Sequence, residues 1–113
     1  MNLVADICKI PARLEERGEV SVVTLLDESG YRSAPTDLNV EAVVAYLERH
    51  PPLIDAWIGY STDKRVSSGW YIVEDSGERF VVGWYPQGER FFFEDRYRAC
   101  AEFIVREVRS IAG

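Results

Sequence analysis

The chain is poor in the residues that most often carry catalysis or bind metals. Its 113 residues include two cysteines and one histidine, and its eight glycines are scattered along the sequence. Cys8 and Cys100 are too far apart for the short spacing of a zinc site, and no ligand partner stands near His50. Neither a glycine-rich phosphate-binding loop nor a calcium-binding loop is present. The sequence therefore predicts no catalytic residue, no metal site and no cofactor.

Long apolar runs are also missing. Residues 1–18 have no basic start, and Asp6, Lys9 and Pro11 interrupt their apolar positions. This pattern is typical of neither a signal peptide nor a membrane span. We therefore expect a cytoplasmic protein with reduced thiols and no membrane partner.

Basic residues are outnumbered by acidic ones. The chain has 13 lysines and arginines and 19 aspartates and glutamates, which gives a formal net charge of −6. A surface of this sign repels the phosphate backbone, so the sequence predicts no nucleic-acid partner. A basic protein, in contrast, would be attracted to it.

The length and the order of patterns predict one α+β domain over residues 1–113. Residues 1–60 are mainly helical in their spacing of apolar side chains, and residues 69–94 alternate as in a three-stranded antiparallel meander. Residues 95–112 form a C-terminal helix, with Asp95 as its cap, that is expected to pack on the sheet.

Several short helices are expected in the first part of the chain. Pro11 suits the first turn of a helix that Gly18 ends, and Asn39 is placed to cap a helix over residues 40–50. Residues 20–27 favour a strand by composition and a helix by spacing, and we expect a helix. Residues 53–60 could form either a short helix or a buried strand, although the spacing of their apolar side chains fits a helix better.

Two-residue turns at Ser76-Gly77 and Gln87-Gly88 would set the register of the meander. They place Glu74 opposite Arg79 and Trp84 opposite Phe91. One predicted face is apolar and should pack on the C-terminal helix; it carries Tyr71, Val73, Phe80, Val82, Trp84, Phe91 and Phe93. The opposite, mixed face carries Trp70, Ile72, Glu74, Arg79, Val81, Gly83, Tyr85, Arg90 and Phe92.

The mixed face has two interpretations. A helix from the first part of the chain could cover it, as in other layered domains. Alternatively it is a surface for a partner, because exposed aromatic and arginine side chains mark such surfaces. Gly83 fits both, since the rings of Trp70 and Phe92 could lie over a residue without a side chain.

Charged residues raise two further alternatives. Asp63, Lys64 and Arg65 form either a solvated corner before the first strand or a recognition loop.

Paired carboxylates can perform acid–base chemistry, but here adjacent pairs such as Glu94-Asp95 are explained by solvated faces and helix caps.

Two stretches resemble the small immunity proteins of bacterial polymorphic-toxin and contact-dependent inhibition systems. They are "YLERHPPLIDAWIGYSTDKRVSSGWYIV" (46–73) and "ERFVVGWYPQGERFFFEDRYRACAEFIVREV" (78–108). Similar immunity proteins show a strand that begins with Gly-Trp, a short meander, an acidic residue and a helix with an alanine-rich first turn. The resemblance covers about residues 40–110 and does not extend to the N-terminal helices.

The resemblance implies a non-catalytic protein that binds and neutralises a cognate toxin domain, which would be basic if it is a nuclease. Expected partner contacts are Tyr60, Asp63, Lys64, Arg65, Trp70, Glu74, Glu78, Tyr85, Glu89, Arg90 and Glu94. An adaptor or chaperone for a secreted effector would use the same aromatic face. A small hydrolase would need carboxylates such as Asp63, Glu94 and Asp95 to converge in one pocket. The protein could be a monomer or a homodimer.

Overall fold

The computed structural model describes residues 2–18, 20–63, 69–76 and 79–112. Within these ranges the chain forms six α-helices and one three-stranded antiparallel sheet of order β1-β2-β3. The elements are α1 Leu3–Cys8, α2 Ile10–Arg17, α3 Val22–Ser29, α4 Val40–Arg49, α5 Pro52–Asp63, β1 Gly69–Asp75, β2 Arg79–Tyr85, β3 Arg90–Phe93 and α6 Arg96–Ala112. The predicted α+β class is confirmed, including the C-terminal helix packed on the sheet.

Local capping interactions define the helix ends. The side chain of Asn39 accepts a hydrogen bond from the Ala42 N–H at 2.9 Å at the start of α4, and Asp95 accepts one from the Tyr97 N–H at 2.8 Å at the start of α6. Gly18, with φ of +70°, ends α2 as expected. These bonds satisfy backbone groups that the helix itself leaves without partners.

Both ambiguous segments are helical. Residues 22–29 form α3, and Pro52–Asp63 forms α5, which extends beyond the predicted end of the helical part at residue 60. Two short 3-10 turns, Tyr31–Ser33 and Pro35–Asp37, connect α3 to α4.

Helix α6 lies at the centre of the core. It packs against α4, α5 and all three strands. Side chains from every layer are fully buried around it, including Ile7, Leu47, Trp57, Ile72, Val82, Phe103 and Ile104. The Trp57 Nε1–H donates to the Cys8 carbonyl oxygen at 2.9 Å, which joins α5 to α1.

Both cysteines are free and buried in this core. Burial raises the pKa of the Cys8 thiol to about 12. Burial also raises the pKa of the Cys100 thiol, with a smaller effect of Cys8. Thiols buried in this way are small apolar core residues and are poor nucleophiles.

The predicted register of the first hairpin is wrong by one residue. Asp75 lies opposite Arg79, so three residues connect β1 to β2 instead of two. Ser76, the first of them, has a left-handed φ of +59°. Arg79 consequently pairs with Asp75 at 2.6 Å and not with Glu74. A shift of one residue reverses the face of every side chain in β1 relative to β2.

The second hairpin differs from the prediction by two residues. Phe91 lies opposite Val82 and not opposite Trp84. The Trp84 N–H instead donates to the Glu89 carbonyl oxygen at 3.0 Å, so the loop between them has four residues. One of them, Pro86, has no N–H for a tight turn. Because the shift is an even number, the faces of β2 and β3 remain as predicted.

The corrected register changes the composition of both sheet faces. Trp70, Ile72 and Glu74 lie on the side of α6, and Tyr71 and Val73 lie on the opposite side. Ile72 is fully buried, which agrees with its new position. The face opposite α6 is called the open sheet face below; it comprises Gly69, Tyr71, Val73, Asp75, Arg79, Val81, Gly83, Tyr85, Arg90 and Phe92.

Helix α5 closes the outer edge of β1. The Ile72 N–H donates to Ser61 Oγ at 2.8 Å, and Ser61 is fully buried. The bond satisfies a backbone donor on the edge of β1 that faces away from β2. Among the described helices, none combines the length and the apolar content that crossing a membrane requires.

Candidate protein-binding surfaces

Two large rings are exposed on the open sheet face. Tyr85 is 43% exposed and Phe92 is 52% exposed. The Arg79 guanidinium lies 4.7 Å from the centre of the Phe92 ring, and its ion pair with Asp75 holds it there. No described helix covers these rings, so this part of the face is accessible to a partner, and the interpretation in which a helix covers it fails here.

Gly83 allows a third ring, that of Tyr71, to approach the sheet closely on this face. A Cβ atom at Gly83 would lie 2.8 Å from Tyr71 Oη and 2.9 Å from the Glu89 carbonyl oxygen. The prediction that the Trp70 ring lies over this glycine is therefore wrong, because Tyr71 occupies the place. Close approach of the ring to β2 is possible only because the glycine has no side chain.

Trp70 belongs to the opposite side of the sheet. Its ring meets Trp84 edge to face at 5.5 Å. The Arg106 guanidinium of α6 lies 5.0 Å from the Trp70 ring centre and 4.4 Å from that of Phe91. Arg106 Nε is also 3.4 Å from Glu102 Oε1. Trp70 thus contributes to packing between the sheet and α6, and it is not part of the open sheet face.

A second surface lies between two helices and is called the α2–α5 groove below. It has a volume of about 680 Å³. Helix α2 lines it with Pro11, Leu14 and Glu15, and helix α5 lines it with Asp55, Ala56, Gly59, Tyr60 and Asp63. The floor is apolar or small, and the carboxylates of Glu15, Asp55 and Asp63 belong to exposed residues.

Tyr60 connects the groove to the core. Its hydroxyl donates to Glu107 Oε2 at 2.7 Å, and Glu107 on α6 is 3% exposed. Burial raises the pKa of the Tyr60 phenol above its usual value, and the negative charge and hydrogen bond of Glu107 raise it further. Tyr60 therefore remains protonated in the folded protein at pH values where an unfolded tyrosine ionises.

The Tyr60→Phe variant should reveal this difference as a change in pH dependence. Stability from a phenol whose pKa is raised on folding is fully present below its unfolded pKa, 10.0, and is lost as the pH rises above it. Between about pH 10 and pH 11.5, the unfolding free energy of the wild type should fall more steeply than that of the variant, and the difference in slope should rise towards about 1.4 kcal/mol per pH unit. Urea unfolding measured across this range tests the difference.

At neutral pH the same variant should be about 1–3 kcal/mol less stable, because Glu107 loses a donor. Tyr46→Phe, at a half-buried tyrosine stacked on His50, is the matched control. Parallel pH profiles for the wild type and Tyr60→Phe would contradict the proposed protonation difference.

The structure distributes the predicted contact residues over several surfaces. Lys64, Arg65 and Glu78 lie outside the described residues. Tyr60 and Asp63 line the α2–α5 groove, Tyr85 and Arg90 lie on the open sheet face, and Trp70 and Glu74 lie on the side of α6. Glu89, just before β3, and Glu94, just after it, are both exposed.

Some residues of these surfaces were absent from the predicted contacts. Phe92 and Arg79 are the clearest on the open sheet face, and Glu15, Asp55 and Gly59 are the clearest in the groove. A sequence signal exists for the groove, since Asp55, Gly59 and Asp63 recur at a spacing of four residues, which places them on one side of a helix. Their juxtaposition with α2 is not visible in the sequence.

The carboxylates considered for a hydrolase lie at different places. Asp63 is in the α2–α5 groove, whereas Asp95 caps α6 and lines a shallow pocket with Glu41. Glu94 is exposed beside β3. Within the described ranges, no group of three or more histidine, cysteine, aspartate or glutamate residues is arranged to hold a metal ion.

Comparisons with models of protein families, with curated proteins and with solved structures gave no match to this chain.

Proposed function

We propose that the protein is a non-catalytic immunity protein, which binds a cognate bacterial toxin domain in the cytoplasm and neutralises it. The observation that carries the proposal is the open sheet face, where Tyr85 and Phe92 are exposed beside two arginines. The resemblance of residues 46–73 and 78–108 to small immunity proteins supplies the class of partner.

The open sheet face has the composition of a protein-binding surface. Tyrosine and arginine are enriched among the residues that dominate binding energy, and rings lose little conformational entropy when a partner covers them. Arg79 is already held over Phe92, so part of the surface is ordered before binding. Such preorganisation lowers the free-energy cost of association.

The charge of the protein supports a basic partner. A net charge of −6 attracts a cationic protein over distances of about one Debye length, roughly 8 Å at physiological salt. Attraction of this kind raises the rate of association more than it lowers the rate of dissociation. A toxin that acts on nucleic acid would have the matching positive surface.

Growth of a bacterial host tests this proposal. The protein encoded next to this chain is expressed alone and together with it, and cell density is followed. We expect arrest with the neighbouring protein alone and rescue by this chain. Absence of arrest, or arrest without rescue, would contradict the proposal and favour an adaptor or chaperone, which binds a partner without abolishing an activity.

A further inference from the structure

The α2–α5 groove has a smooth floor on its α5 side. Ala56 and Gly59 are one turn apart there, and a Cβ atom added at Gly59 would meet nothing within 4 Å. Small residues let a second helix approach closely, at roughly 8–10 Å between axes. Leu14 of α2 adds an apolar wall on the other side. The shape therefore suits an elongated segment that lies along α5.

Carboxylates stand at both ends of this floor. Asp55 and Asp63 are eight residues apart on α5, which corresponds to about 12 Å along the helix axis. Glu15 of α2 faces them across the groove. None of the three forms an ion pair with a cationic residue in the described part of the chain. Within the described ranges, no direct ion pair therefore neutralises these three carboxylates.

The position of Asp63 is unfavourable for the helix itself. It is the last residue of α5, whose last turn has no basic residue. A carboxylate at the C-terminus of a helix opposes the helix dipole, which usually costs a few tenths of a kcal/mol or more. Asp63 therefore does not stabilise α5 through the helix dipole.

We propose that the α2–α5 groove binds a cationic helix of the partner protein. Two lysines or arginines, two turns apart on that helix, pair with Asp55 and Asp63. Small apolar side chains between them pack on Ala56 and Gly59, as in other complexes in which a helix fills a groove. Only the assignment of this helix to the toxin depends on the proposed function.

The hydrogen bond between Tyr60 and Glu107 makes one wall of the groove rigid. Because its hydroxyl is bound to α6, the Tyr60 side chain is fixed beside Asp63. The ring also meets Trp57 edge to face at 5.2 Å. The groove is thus formed before a partner arrives.

A capped helical peptide of alanine, leucine and lysine, with two lysines eight positions apart, is the probe. It is titrated into the ¹⁵N-labelled full chain at low salt, and amide chemical shifts are followed. We expect saturable shifts concentrated in α2 and α5, with the largest at Ala56 and Gly59. A peptide with glutamate at the lysine positions should cause none.

Three variants make the test specific. Asp55→Asn/Asp63→Asn should weaken binding about tenfold, whereas Asp37→Asn/Glu48→Gln, which removes the same charge from exposed positions outside the groove, should change it less than about twofold. Gly59→Leu fills the groove and should abolish binding. It should not unfold the protein, because leucine favours a helix and the space is open. Circular dichroism confirms the fold of each variant.

The inference is overturned if the peptide does not bind at about 1 mM, if both double variants weaken binding equally, or if Gly59→Leu binds as the wild type does. The peptide titration does not involve the toxin. A chain that rescues growth but fails to bind the peptide would contradict this inference alone. A chain that binds the peptide but does not rescue growth would contradict the proposed function alone.

Discussion

Replacing Trp57 with alanine should lower the free energy of unfolding by about 3–5 kcal/mol. The indole is 1% exposed and meets the rings of Tyr60 and Phe103 edge to face, at 5.2 and 6.0 Å between centres. It also donates to the Cys8 carbonyl oxygen. Alanine would remove these contacts together, leave a large cavity between α1, α5 and α6, and orphan a buried acceptor.

Guanidinium unfolding followed by circular dichroism measures this effect. The Trp57→Phe variant keeps an aromatic ring and loses the hydrogen bond, so its loss of stability should be smaller, about 1–3 kcal/mol. Val23→Ala provides a surface control, because Val23 is 45% exposed on α3, and it should change stability by less than about 0.5 kcal/mol. A loss below about 1 kcal/mol for Trp57→Ala would contradict the packing described here.

The Tyr85→Ala/Phe92→Ala double variant should weaken binding to the toxin at least about 100-fold. Exposed rings that become central in an interface each contribute about 2 kcal/mol or more, and a factor of ten corresponds to about 1.4 kcal/mol. Both rings already face solvent, so the fold should lose only about 1 kcal/mol. Titration calorimetry gives the affinity and urea unfolding gives the stability.

The reference for this measurement is Val23→Ala, which removes an exposed apolar group far from the sheet in sequence and should leave the affinity unchanged. Trp70→Ala gives the opposite profile, since Trp70 packs against Trp84 and Arg106, and it should mainly reduce stability. If the double variant binds the toxin as tightly as the wild type, the open sheet face is not the main contact. A stability loss above about 3 kcal/mol would show that the two rings support the core.

Local chemistry made most of the fold predictable. Asn39 and Asp95 begin helices because their side chains accept hydrogen bonds from free N–H groups, and Gly18 ends one because it adopts a positive φ. These effects act within a few residues, so a single sequence reveals them. The alternation from Gly69 onward likewise reveals the meander.

The faces of the sheet depended on one turn residue. The sequence Ser76-Gly77 is typical of a two-residue turn, but Asp75 pairs with Arg79 across three residues. That difference moved Trp70 to the packed side and Tyr71 to the open side. The choice depends on how well Ile72 fits against α6, which is an interaction between distant parts of the chain.

The α2–α5 groove could not be predicted for the same reason, because it depends on contacts between distant parts of the chain. Each helix could be predicted alone, and Tyr60 and Asp63 were expected to contact a partner. Whether Glu15 lies opposite Asp55 depends on the packing of α2 against α5, which the spacing within either helix does not determine.

The hydrogen bond from the Ile72 N–H to Ser61 decides where the sheet can grow. On the edge of β1 that faces away from β2, the Ile72 N–H is already bonded to Ser61, and α5 lies along this edge. Strand β3 is the other edge, with no described strand beyond it. Extended segments of a partner, or misfolded copies of this chain, can therefore lengthen the sheet through main-chain pairing at Arg90–Phe93 and not at β1. A strand added there would continue the open sheet face beyond Phe92, with every second side chain on that face.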